Sequence, residues 1–89
     1  NTFIDLVSLR NLFLNSNKLE KIDIYGLSGL QSLTMLYLQE NHLKYLESNL
    51  FLDLSNLRLI DLYANFLDDF KIGCFKGVEQ TLQTIILNF

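Results

Sequence analysis

Cysteine occurs once in these 89 residues, at position 74, so no internal disulfide can staple the chain. Histidine also occurs once, at His42, with no second histidine or cysteine at ligand spacing, so no metal set and no bound cofactor is expected. Charge of neither sign dominates. The formal net charge is -3 and the seven basic residues are scattered, which argues against nucleic acid as a partner. Long apolar runs are missing too. The longest uncharged stretch, Ile24 to Gln39, is broken by Gly26, Ser28, Gly29, Gln31, Ser32 and Thr34, so no membrane contact is expected within this segment. There is no initiator methionine, no signal peptide and no glycosylation sequon; Asn15-Ser16-Asn17 fails at its third position. A serine–histidine–acid set, a glycine-rich phosphate loop and a carboxylate pair facing a cleft are all absent, so catalysis is not expected.

What the chain has is a repeat. Leu9-x-x-Leu12-x-Leu14-x-x-Asn17-x-Leu19 recurs 24 positions later as Leu33-x-x-Leu36-x-Leu38-x-x-Asn41-x-Leu43. It recurs after another 24 as Leu57-x-x-Ile60-x-Leu62-x-x-Asn65-x-Leu67. A further copy opens one residue late, at Leu82-x-x-Ile85-x-Leu87. Self-similarity at this period marks coils that bury their apolar faces only against their neighbours. The units read as a partial one at 1–8, repeats at 9–32, 33–56 and 57–81, and a truncated one at 82–89, together one domain over 1–89. Neither end has the polar outer face that closes such an array, so a piece of a longer array is expected.

The second unit shows the local logic. Leu36 and Leu38 alternate with Tyr37, the period-2 pattern of a short strand with one buried face. Asn41 falls where the chain must turn. Its amide carries both donors and an acceptor, so it is expected to bond its own turn and the next coil's backbone. Asn17, Asn41 and Asn65 would stack as a ladder. The other half of each unit has three-residue spacing, as in Leu27-x-x-Leu30-x-x-Leu33 and Phe51-x-x-Leu54-x-x-Leu57, which predicts 3₁₀ or short helical turns. Strands packed about 4.8 Å apart against a wider back would bend the stack. The extra residue among Glu79, Gln80 and Thr81 is expected on that back, where it leaves strand register undisturbed.

The unit LxxLxLxxNxL, followed by FxxL at Phe51 and a phenylalanine again at Phe75, resembles the leucine-rich repeat, and its 24-residue period resembles the "typical" subclass. The resemblance spans residues 9 to 87. It implies an α/β right-handed solenoid, with a parallel sheet on the concave side and loops or short helical turns on the convex side. That subclass is found mostly in extracellular receptors, adhesion proteins and matrix proteins, so the resemblance implies protein–protein interaction at an extracellular or cell-surface location. Three features depart from the pattern. Asp23, Glu47 and Lys71 stand where proline is usual, Leu27 replaces phenylalanine, and the cysteine clusters of extracellular caps are missing.

Inward leucines build the coil, so specificity has to come from the residues between them. One outward column reads Phe13, Tyr37, Asp61, Ile86; the column before it reads Asn11, Met35, Leu59, Thr84. Past the strand come Asn15, Gln39, Tyr63 and Asn88, then Lys18, His42 and Phe66. Phe13, Met35, Tyr37, Leu59, Tyr63, Phe66 and Ile86 form a candidate protein-binding surface, with Arg58 and Asp61 as charged partners, since interfaces enrich aromatic and methionine side chains. The plainer alternative is that aromatic and β-branched residues favour strands and pack across them. Asp61 has a plainer alternative as well, pairing with Arg58. His42 is expected to be exposed, Cys74 to be a small buried residue on the back, and Asp68-Asp69 to be a solvated loop too poor in ligands for calcium. A structural or assembly role through Glu47, Lys71 and Lys76 on the back, or an intracellular scaffold of the same fold, is the other reading of the chain.

Overall fold

A leucine or isoleucine flanked by two non-core residues buries itself alone only if the backbone is extended, because successive side chains of a strand point to opposite faces. The computed structural model describes residues 9–23, 25–27, 29–67, 69–70 and 72–87, with backbone alone at 69, 70 and 72. Ile24, Ser28, Asp68, Lys71 and Asn88, named above, lie outside the described residues. The strands are β1 (Asn11–Phe13), β2 (Met35–Tyr37), β3 (Tyr45–Leu46), β4 (Leu59–Asp61), β5 (Asp69–Phe70) and β6 (Thr84–Ile86), with one 3₁₀ turn at Ile72–Phe75. β1, β2, β4 and β6 form a four-stranded parallel sheet in that order.

The register follows the repeat. Asn11, Met35, Leu59 and Thr84 lie in one row, Leu12, Leu36, Ile60 and Ile85 in the next, and Phe13, Tyr37, Asp61 and Ile86 in the third. The late fourth copy keeps its place in all three rows, because its extra residue is absorbed between the strands. Hydrogen bonds extend the ladder beyond both strand ends. Arg10 O accepts from Thr34 N and Met35 N, Thr34 O from Arg58 N and Leu59 N, and Arg58 O from Gln83 N and Thr84 N. At the other end Leu14 N donates to Tyr37 O, Leu38 N to Asp61 O and Leu62 N to Ile86 O.

Each turn after the strand is closed by its asparagine. Asn41 is buried; its Nδ2 donates to Leu14 O at 2.9 Å and Leu38 O at 3.0 Å, and its Oδ1 accepts from Leu19 N at 3.1 Å. Asn65 repeats the set one coil on, with Leu38 O, Leu62 O and Leu43 N. The bonds therefore run to the preceding coil, not to the next one as expected from sequence. The reason lies in the ladder. The extended residue Leu14 donates its N–H forward to Tyr37, so its carbonyl points forward too and waits for the following coil's amide. Asn17 is exposed, and among the described residues it bonds only its own turn, at Leu14 O and Asn15 O. The residue before each asparagine takes a left-handed conformation: Ser16 at φ 59°, Glu40 at 61° and Ala64 at 57°. Each such residue costs on the order of 1 kcal/mol.

The core lies between the sheet and the opposite, loop side. Leu30, Leu33, Leu36, Leu38, Leu43, Phe51, Leu54, Leu57 and Ile60 have no exposed surface, and each such side chain contributes about 1.5–3 kcal/mol by burial. Consecutive i→i+3 bonds give the loop side its three-residue rhythm: Leu30 N to Leu27 O, Leu33 N to Leu30 O, Leu54 N to Phe51 O, Leu57 N to Leu54 O and Val78 N to Phe75 O. Among the described residues no α-helix forms, so the helical half of the expected α/β pattern reduces to turns and the one 3₁₀ stretch. These segments are too short to nucleate an α-helix. A second pairing, absent from the sequence reading, joins β3 to β5 with Tyr45 opposite Asp69. Asp69 is thus strand backbone and not the loop expected of it. Phe51 and Phe75 stack at 5.9 Å between ring centres behind this pair. Gly77, at φ 94°, passes so close that a Cβ would lie 2.7 Å from Leu52 O.

Candidate interaction surface

The outward rows of the sheet bring Phe13, Met35, Tyr37, Leu59, Asp61 and Ile86 together as neighbours on one face. Phe13 and Tyr37, directly opposite across β1 and β2, stack with ring centres 4.6 Å apart and planes 3° from parallel. The Tyr37 hydroxyl lies 3.2 Å from Met35 Sδ. Part of this aromatic surface is therefore satisfied within the sheet, as cross-strand packing requires. Phe13 nevertheless stays 65% exposed and Met35 38%. Tyr63 follows β4 and is 53% exposed; its backbone N–H is held by Asp61 Oδ1 at 3.1 Å. That bond ties one Asp61 oxygen to its own turn. No Asp61–Arg58 ion pair occurs among the described residues; Arg58 sits just before β4, in a groove at the strand starts with Arg10, Ser32, Thr34 and Asn56.

Phe66 lies apart from the sheet rows. It follows Asn65, is 59% exposed, and packs against His42 at 5.5 Å with the rings tilted by 50°. The described contacts within the candidate surface thus fall into two clusters: Phe13, Tyr37 and Met35 on the sheet, and Phe66 against His42 beyond the asparagine turn. Gln39 Oε1 is buried without a hydrogen-bond partner. Ile85 belongs to the inward row but is 38% exposed, because no described coil lies beyond β6.

The remaining candidates are chemically quiet. Among the described residues no group of three or more histidine, cysteine or acidic side chains is placed to hold a metal ion, and no helix is long and apolar enough to cross a membrane. Cys74 is fully buried, and desolvation pushes its thiol from 9.0 up to about 11, a rise only partly offset by a backbone hydrogen bond. Sequence reasoning missed the strand-start groove, although a signal was present: Arg10 and Arg58 are the chain's two arginines and stand two repeat periods apart.

Known proteins share this pattern. Residues 1–43 match the family model described as leucine rich repeat. Fibromodulin of Sus scrofa is 37% identical over 73 residues, which cover 82% of this chain and 49% of that protein. Fibromodulin of Oryctolagus cuniculus gives the same figures. Leucine-rich repeat-containing protein 3B of Homo sapiens is 37% identical over 54 residues, 61% of this chain and 21% of its own. The chain spans about half the length of the fibromodulins it matches, and less of the other relative. Units in register, a parallel sheet made of their strands and these likenesses agree: the chain belongs to the leucine-rich repeat proteins.

Proposed function

We propose that this chain is a non-catalytic protein-interaction module whose open sheet face holds a protein ligand, as in a receptor or adhesion protein at an extracellular or cell-surface location. In this reading its coils, 9–32, 33–56 and 57–81, are part of a right-handed solenoid and the sheet is its concave wall. The observation that carries the reading is the aromatic and methionine surface of exposed Phe13 and Met35 and half-buried Tyr37, with Tyr63 and, in a second cluster, Phe66 exposed beyond it. Rings held in place by stacking lose little side-chain freedom on binding, and such residues dominate interface energetics. Tyr37, Tyr63 and Phe66 act as anchors, Leu59 and Ile86 extend the apolar contact, and Asp61 and Arg58 set charge complementarity.

The test replaces Tyr37 and Tyr63 together with alanine in the full-length protein. Anchors of this type contribute about 2 kcal/mol or more, so affinity for the ligand is expected to fall at least ~30-fold while the variant still unfolds cooperatively. Unchanged affinity in a folded double variant removes the anchor reading. A second reading, assembly through the loop side, has one observation in its favour: Tyr25 and Leu52, both exposed, border a hollow of about 250 Å³ with Asn49 and Asp53. Loss of association on Tyr25→Ser and Leu52→Ser, with the face variants silent, would select it.

A further inference from the structure

The strand-start groove holds both arginines of a chain whose net charge is negative. It is an open trough of about 270 Å³ lined by Arg10, Ser32, Thr34, Asn56 and Arg58, with no acidic residue among them. Neither arginine makes an ion pair among the described residues. The carbonyls of Arg10, Thr34 and Arg58 each already accept two N–H groups from the next coil, so their lone pairs are engaged within the fold. The Thr34 hydroxyl donates to Arg10 O at 3.0 Å, and the Asn56 amide to Gln31 O at 2.8 Å, so both side chains are held by the fold and leave the two guanidinium groups as the attracting elements.

We infer that this groove docks an acidic peptide segment of a protein partner, one carboxylate on each arginine. The nature of the occupant rests on the protein-ligand reading above; the site itself rests on the groove. Two coils separate the arginines, a distance of about 10 Å at the strand spacing of a sheet. One small oxyanion between them meets both groups only if each long side chain leans across a full coil. An extended peptide places alternate side chains about 7 Å apart on one side, a gap that two flexible arginine side chains close from either end. The guanidinium fork matches a carboxylate with two parallel hydrogen bonds, which lysine does not provide, and no described lysine lines the groove. The groove flanks the aromatic rows, so one ligand reaches both, with an apolar centre and a charged rim.

The experiment measures fluorescence anisotropy of a labelled peptide alternating glutamate and glycine, added to the intact protein at low and at physiological ionic strength. Binding is expected at low salt, weaker at physiological salt, and absent when glutamine replaces glutamate in the peptide. The double variant Arg10→Gln/Arg58→Gln, which changes exposed side chains only, is expected to bind on the order of tenfold more weakly. A control pair, Lys18→Gln/Lys44→Gln, is expected to bind as the parent does. An equal loss in the lysine pair, or none in the arginine pair, overturns the proposal. So does displacement of the peptide by inorganic phosphate at matched ionic strength, which would make the groove a small-oxyanion site. If the arginine test fails while Tyr37→Ala/Tyr63→Ala still weakens binding of the protein ligand, only the acidic docking falls and the aromatic face stands.

Discussion

Across the sheet, Asn11, Met35, Leu59 and Thr84 occupy one row although the last step is a residue longer than the first two; across the loop side the same three steps build different things. The second and third units add the short pairing of β3 with β5, and among the described residues the third alone carries a 3₁₀ turn. The difference is one of constraint. A strand that slips by one residue turns its whole apolar set outward and breaks every ladder bond. The loop side needs only to bury one apolar residue in three and to close i→i+3 bonds, which several backbones satisfy. Variation therefore collects behind the sheet while the face keeps constant spacing.

That contrast can be broken most severely by insertion. One glycine placed between Met35 and Leu36 is expected to cost at least about 4 kcal/mol or to abolish cooperative unfolding, since Leu36 or its successors leave the core. The same glycine between Gln80 and Thr81 is expected to cost less than about 1 kcal/mol, as loop lengthening is cheap. Urea unfolding of both variants decides it; similar losses would mean that the loop side is as tightly specified as the sheet.

The asparagines sharpen the comparison within the ladder. Asn41→Ala leaves Leu19 N without its acceptor and removes one of the two amide donors to Leu14 O, cutting the side-chain link between coils. A loss of about 2 kcal/mol is expected by denaturant titration. Asn17→Ala removes exposed bonds to its own turn and is expected to cost less than about 1 kcal/mol. Equal losses would refute the view that linking coils, and not closing a turn, is what makes this residue matter.

On the loop side, Cys74 gives a pH signature. Its thiol is neutral in both states below pH 9, and above that the unfolded chain ionises first because the folded value is about 11. Stability is therefore expected to fall as pH rises from 9 to 11, by up to about 2 kcal/mol, and Cys74→Ala is expected to flatten that part of the slope. Parallel slopes in parent and variant would assign the alkaline loss to other groups. The smallest effect is expected at Ala64, whose φ of 57° suits glycine better than alanine. Ala64→Gly is expected to shift the melting free energy by less than about 1 kcal/mol, with the relieved strain opposed by the freer unfolded chain.

The rows were legible in the sequence because Leu12, Leu36, Ile60 and Ile85 obey one arithmetic, and burial enforces it. The stacked pair Phe13–Tyr37 was legible for the same reason, since register makes them neighbours. The direction of the asparagine bonds was not, because spacing fixes which residues stack and says nothing of which way a carbonyl points. β3 and β5 escaped notice because two-residue strands have no period to detect. Arg10 was read as scattered charge and Arg58 as a charged edge of the sheet face; only when the coils are stacked do positions two periods apart become walls of one groove.

A buried thiol at about 11 also bears on the chemistry this chain can survive. The thiolate is the nucleophile that attacks peroxides and disulfides, and Cys74 presents neither that anion nor an accessible sulfur. The same side chain is thus inert where glutathione is reduced and where secreted proteins are oxidised. A free cysteine and a cell-surface life are compatible here, since the fold, and not the compartment, protects the sulfur.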